Sequence, residues 1–140
     1  MKIALLGYGR MVQAIEKVAV ERGHEIVIRK DVEPLEVDLS FADAAIDFSH
    51  PSAAFDNIKL CIDNNVPVIS GTTGWLDKYE EVKGYCELKK GSFIYASNFS
   101  IELHTVNTIP TSSKINKVLK LSSCCFTTNL FIKTLDAVNV

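Results

Sequence analysis

No apolar run in these 140 residues approaches the roughly 20 that a membrane span needs. Ahead of the first glycine turn, residues 3–6 make only a four-residue apolar stretch, shorter than the apolar core of a secretory leader. The chain therefore reads as cytoplasmic, with no membrane partner. An excess of one charge is also missing: 15 Lys and Arg stand against 17 Asp and Glu, a formal net charge of −2. That leaves no broad basic field for nucleic acid, so an anionic ligand must be held by a local device. The four cysteines, Cys61, Cys86, Cys124 and Cys125, form no C-x-x-C pair, and no metal site is expected. Cys61 and Cys86 fall on apolar helical faces, where a thiol packs as a small hydrophobe.

What is present is an alternation of two periods. Residues 2–6 are a short apolar run ending at a glycine turn, and the next dozen place Met11, Ile15, Val18 and Ala19 at helical spacing. Gly23 suits the left-handed residue that ends a helix, and Glu25 to Lys30 carries Ile26, Val27 and Ile28 as a second, buried strand. Residues 44–48 form a third strand, followed by a helix from near Pro51 with Phe55, Ile58, Cys61 and Ile62 on one face and Asn64-Asn65 at its end. Residues 66–70 form a fourth strand, then Tyr79, Val82 and Cys86 mark another helix, and residues 92–96 a fifth strand. Strands alternating with helices imply parallel pairing through right-handed crossovers, hence a doubly wound, Rossmann-like α/β sheet. A core of this size needs no disulfide or metal to hold it.

Glycine stops at Gly91, and past residue 101 the character changes. Residues 1–101 carry 15 acidic and 11 basic side chains, residues 102–140 carry 2 and 4, and 14 of those last 39 are Ser, Thr or Asn. Ile115, Val118, Leu119 and Leu121 suit one short helix; otherwise the stretch reads as an irregular, divergent tail to a domain of residues 1–101.

The chemistry sits in the loops that follow the strands. Gly7-Tyr8-Gly9-Arg10 is a glycine turn feeding a helix, which presents dipoles and N–H donors to a phosphate without bulk between them. Gly7 permits the tight turn and Gly9 a close approach to a pyrophosphate. The third position of the G-x-G-x-x-G fingerprint is Val12, a β-branched residue expected either to hold the helix away from the first strand or to have its packing adjusted. Asp31 stands 24 residues after Gly7, at the end of the second strand, where an acidic side chain accepts hydrogen bonds from an adenosine ribose. The next residue, Val32, is no arginine for a 2′-phosphate, which favours NADH, while Arg29 and Lys30 keep NADPH open. Two more strand-end loops, Gly71-Thr72-Thr73-Gly74 and Ala96-Ser97-Asn98-Phe99-Ser100, offer donors for a nicotinamide ribose or amide, with Phe99 able to cover a ring. His50 suits a helix cap, and His24 and His104 read as surface residues.

Taken together, Ile3-Ala4-Leu5-Leu6-Gly7-Tyr8-Gly9-Arg10-Met11, Asp47-Phe48-Ser49-His50-Pro51, Gly71-Thr72-Thr73-Gly74-Trp75 and Ala96-Ser97-Asn98-Phe99-Ser100-Ile101 resemble the amino-terminal domain of dihydrodipicolinate reductase, in that family's order and spacing. The resemblance covers residues 1 to about 101. It implies that Gly7, Tyr8, Gly9, Arg10, Met11 and Val12 take the pyrophosphate of NADH or NADPH and that Asp31 takes the adenosine ribose. Gly71, Thr72 and Thr73 would take the nicotinamide half, Ala96, Ser97, Asn98 and Phe99 would line the same pocket, and Phe48 would join the cofactor-binding set. In the family a second domain holds a cyclic dicarboxylate, using a histidine pair with a lysine shortly after and a glycine-threonine pair.

Those substrate-binding motifs have no counterpart after residue 101: His104 is the only histidine beyond His50, and no glycine follows Gly91. The expectation is the NAD(P)H-binding part of a reductase of diaminopimelate and lysine biosynthesis, truncated or frameshifted. The alternative is a binding module that holds NAD(H) and does no chemistry. No catalytic residue is assigned, and the oligomeric state is left open.

Overall fold

Five of the apolar runs become the parallel strands of one sheet in the computed structural model, which describes residues 1–31, 37–97 and 107–108. The strands are β1 (Lys2–Leu6), β2 (Glu25–Lys30), β3 (Ala44–Asp47), β4 (Val68–Ser70) and β5 (Phe93–Tyr95), with a two-residue β6 (Asn107–Thr108) antiparallel to β5. Their spatial order is β2-β1-β3-β4-β5-β6, so the direction of winding reverses between β1 and β3. The sheet thus takes in a short strand from beyond residue 101. The expected helix around Ile115 to Leu121 lies outside the described residues.

Side chains alternate across β1 and divide the core in two. Ile3 and Leu5 face helix α1 (Arg10–Glu21), packing with Val12, Ile15, Ala19, Ala44, Ile46 and Ile69. Ala4 and Leu6 face α2 (Pro51–Asp63) and α3 (Tyr79–Lys89), packing with Ile58, Cys61, Ile62, Val82, Cys86, Phe93 and Trp75. Helices therefore cover both faces, as expected of a doubly wound sheet. Cys61 and Cys86 are free, buried thiols, and burial pushes the pKa of both upward.

All three α-helices among the described residues end in the same motif, with two amides at the helix end bonding back to its last carbonyls. In α1 these are Gly23 N–H to Val20 O (2.9 Å) and His24 N–H to Ala19 O (3.0 Å). In α2 they are Asn65 N–H to Ile62 O (3.1 Å) and Val66 N–H to Cys61 O (2.9 Å), and in α3 Lys90 to Glu87 and Gly91 to Cys86.

Three local expectations are corrected. The buried stripe of α1 is Val12, Ile15 and Ala19, one residue round from the expected face, and Met11 is 51% exposed. Ile26, Val27 and Ile28 are only partly buried, because β2 lies at the edge of the sheet. His24 is buried rather than on the surface, its ring Nδ1 lying 3.5 Å from the amino terminus.

Candidate cofactor site

The carboxyl ends of β1 to β5 open on one edge of the sheet, and the expected loops gather there. Gly7 follows β1 with φ +82°, and its N–H donates to Lys30 O at 2.7 Å, tying the turn to the end of β2. A Cβ at Gly7 would lie 2.7 Å from Ser49 Cα and 2.8 Å from Phe48 C, so the turn after β1 is seated directly on the loop after β3. These are the two strands between which the winding reverses, the crevice where open α/β sheets hold ligands.

Gly9 is the N-cap of α1. Among the described residues no side chain caps this helix, and its first turn holds no acidic residue. The first intrahelical bond is Gln13 N–H to Gly9 O, 3.1 Å, so the helix itself supplies no acceptor for the amides of Arg10, Met11 and Val12. A Cβ at Gly9 would meet nothing within 4 Å. Uncapped donors in front of open space match the needs of a pyrophosphate, with the helix dipole adding to the attraction.

The Val12 side chain is fully buried against β1 and β3, so the packing has adjusted to the β-branched residue. Tyr8 is partly buried against the α1 side of the core, and its hydroxyl donates to Glu16. Glu16 also accepts from Arg29 Nε at 2.8 Å and from Arg29 Nη2. Arg29 and Tyr8 together hold the Glu16 carboxyl below its usual range. Asp31 follows β2 directly and is exposed.

Gly71 follows β4. Its missing Cβ makes room for the Phe48 ring, whose Cδ1 would otherwise lie 2.8 Å from it. Thr72 is 4% exposed, whereas Thr73 is exposed to solvent. Ala96, after β5, is buried and donates its N–H to Ser70 O at 3.2 Å, and Ser97 is exposed. Asn98 and Phe99 lie outside the described residues. His50 caps α2, its Nδ1 accepting from Ser52 N–H at 3.3 Å.

The strand register reveals what the motifs did not. Lys30, Leu6, Asp47, Ser70 and Tyr95 form one row across the carboxyl end of the sheet. Lys30, Asp47 and Ser70 are all buried, and Asn57 of α2 closes the group: Lys30 Nζ donates to Asn57 Oδ1 at 2.8 Å, and Asn57 Nδ2 donates to Asp47 Oδ1 at 3.1 Å. The signal lay in the sequence as a charged residue ending each of two apolar strands, Ile28-Arg29-Lys30 and Ala45-Ile46-Asp47. Their shared row became visible only with the register.

Residues 1–99 match the family described as dihydrodipicolinate reductase, N-terminus. The chain is 50% identical over 103 residues to a 4-hydroxy-tetrahydrodipicolinate reductase of Christiangramia forsetii, covering 72% of this chain and 43% of that protein. It is 33% identical over 108 residues to the reductase of the same name from Mycolicibacterium smegmatis, covering 72% and 44%. Among solved structures, a dipicolinate-bound dihydrodipicolinate reductase from Paenisporosarcina sp. TG-14 matches the fold with a TM-score of 0.58 at 23% identity, covering 86% of this chain and 51% of that one. The chain thus spans less than half the length of these curated relatives.

Proposed function

This chain belongs to the dihydrodipicolinate reductase family through that family's N-terminal domain, and on that premise we propose that it is the nicotinamide-dinucleotide-holding part of a 4-hydroxy-tetrahydrodipicolinate reductase. The observation that carries the proposal is the uncapped N-terminus of α1, facing open space at Gly9 where the sheet reverses its winding. The amides of Gly9 to Val12 take the pyrophosphate, and Tyr8, Arg10 and Met11 flank it. Asp31 takes the adenosine ribose hydroxyls. Phe48, Gly71, Thr72 and Thr73 support the nicotinamide half, and Ala96 to Phe99 complete that end. When bound, the dinucleotide supplies the hydride.

The cofactor is NADH in preference to NADPH. Lys30 is buried on Asn57, and the Arg29 guanidinium already has a carboxylate partner in Glu16. A 2′-phosphate would have to compete with Glu16 for Arg29 and lie beside Asp31. Quenching of Trp75, the sole tryptophan, gives the affinities. Asp31→Ala leaves the ribose hydroxyls without a charged acceptor and is expected to weaken NADH by about 1.5–3 kcal/mol. Equal affinities in the variant and the wild type would remove Asp31 from the site. Glu16→Gln, which releases Arg29, is expected to narrow the gap between NADH and NADPH.

The substrate side is tested on the same 140 residues. Hydride transfer to a ring imine needs a proton donor and groups that fix the acceptor, and those the family uses are absent from this sequence. General acid–base help contributes about 10²–10⁴-fold, and positioning more. The purified chain is expected to bind NADH without oxidising it when freshly prepared dihydrodipicolinate-pathway substrate is added. Turnover above a blank, abolished by His104→Ala, would show that residues beyond 101 supply an acid of their own.

A further inference from the structure

Asp47 is a carboxylate buried where no ligand can reach it. The residue is 0% exposed, and both carboxylate oxygens are engaged within the protein. Oδ1 accepts from Ser49 Oγ at 2.7 Å and Asn57 Nδ2 at 3.1 Å; Oδ2 accepts from Ser70 Oγ and Thr72 Oγ1, both at 2.8 Å. Burying a carboxylate is unfavourable unless such partners surround it. These partners come from the loop after β3, from α2, from the end of β4 and from the loop after β4.

The direction of each bond is fixed by what its partner can do. Thr72 Oγ1 accepts the Ser49 backbone N–H at 2.8 Å, which leaves its own proton to be donated to Asp47. Ser49 Oγ accepts from Asn57 Nδ2 at 3.1 Å while donating to Asp47. Asn57 must turn its oxygen to Lys30, because an ammonium can only donate. The Trp75 indole N–H donates to the Thr72 carbonyl at 2.8 Å, so both the side chain and the backbone of this residue are held.

We infer that Asp47 is a positioning residue for the nicotinamide half of the cofactor: without touching it, the carboxylate sets the Gly71–Thr73 loop through Thr72 and the start of the β3 loop through Ser49. This rests on the dinucleotide reading above. The adenosine half meets the network through Lys30 and Asn57 and where the Gly7 turn sits on Ser49, but the Gly7 turn is also tied to the end of β2 by a backbone bond that does not pass through Asp47. Replacing the Asp47 carboxylate therefore disturbs the nicotinamide end, where it holds Thr72 directly, more than the adenosine end.

Two ligands that differ only in the nicotinamide end separate these effects. NADH and ADP-ribose are titrated calorimetrically against the wild type, Asp47→Asn, Thr72→Val and Thr72→Ser, with folding checked by circular dichroism. Asp47→Asn puts an N–H₂ against one of the two pairs of donors from which the carboxylate accepts, and Thr72→Val keeps the shape but removes the hydroxyl. Both are expected to weaken NADH by about tenfold or more while ADP-ribose stays within about twofold, on the scale of hydrogen bonds to a charged group. Thr72→Ser, which keeps the hydroxyl, is expected to restore NADH binding.

If Asp47→Asn does not fold, the two Thr72 variants decide. A folded Thr72→Val that binds NADH like the wild type, or that loses both ligands by the same factor, overturns the inference. Wild-type protein that holds neither ligand overturns the dinucleotide reading and the inference with it. A wild type that binds both, with variants unchanged, overturns the inference alone.

Discussion

Gly7→Ala is expected to destabilise the protein by about 2–5 kcal/mol and to abolish measurable NADH binding, and it should do so through the backbone. Gly7 has φ +82°, which costs an L-residue about 1–2 kcal/mol. The added methyl then lies 2.7 Å from Ser49 Cα and 2.8 Å from the Phe48 carbonyl carbon, inside contact distance of main chain that cannot rotate aside, an overpacking cost of about 1–3 kcal/mol. The only escape is to separate the turn after β1 from the loop after β3, which moves the N-terminus of α1 away from the rest of the site. Gly9→Ala is the control, since its Cβ would meet no protein atom within 4 Å. It should fold with wild-type stability yet weaken the dinucleotide, because the methyl occupies the space a pyrophosphate needs. Urea unfolding followed by Trp75 fluorescence, with NADH titration alongside, separates the two. A Gly7→Ala protein with an unshifted midpoint would show that the loop after β3 yields easily.

How much of this was legible in advance differs between fold and site. Period and punctuation gave the order of strands and helices, because an apolar run between a helix end and a glycine turn has few alternatives. Gly23 and Asn65 marked helix ends for a physical reason: both sit at positive φ, as the closing motif requires. Burial by face was less legible. Met11 and Val12 are adjacent and both apolar, and only the crossing of α1 over β1 decides that Val12 goes inside. Ile26, Val27 and Ile28 look like a central strand, but edge position is a property of strand order, which no local window contains.

At the site, sequence reasoning located the loops and missed what holds them. A glycine turn is recognisable because phosphate binding requires absent side chains. The Asp47 network is built of ordinary residues drawn from positions 30, 47, 49, 57, 70 and 72, and their meeting depends on the register of four strands and one helix. Arg29 shows the same limit: its basic side chain suggested a phosphate partner, but Glu16, thirteen residues earlier on α1, already occupies it. Chemistry carried by local backbone can be read from a sequence, while chemistry carried by a row across a sheet needs the sheet.

Trp75→Ala should produce an effect as large as Gly7→Ala by a different route. Trp75 is 2% exposed, packs edge-on against Tyr95 with ring centroids 5.5 Å apart, and closes the core between α2, α3 and the sheet. Truncating a buried aromatic of this size removes its burial and leaves a cavity that the surroundings fill only in part, a loss of about 3–5 kcal/mol. It also removes the donor to the Thr72 carbonyl, 2.8 Å from the indole nitrogen. Trp75→Phe separates the two contributions: most of the packing remains, but the buried carbonyl loses its partner, a cost of about 1–3 kcal/mol. Stability is read by circular dichroism in urea, because the variants have no tryptophan left to report it. NADH affinity is read from the fluorescence of the cofactor itself. The expected pattern is a large fall in the unfolding midpoint for Trp75→Ala, a smaller one for Trp75→Phe, and weakened NADH in both, since each releases one of the three bonds that hold Thr72. If Trp75→Phe binds NADH as tightly as the wild type, the indole bond does not shape the loop, and the Asp47 side of the network holds Thr72 alone.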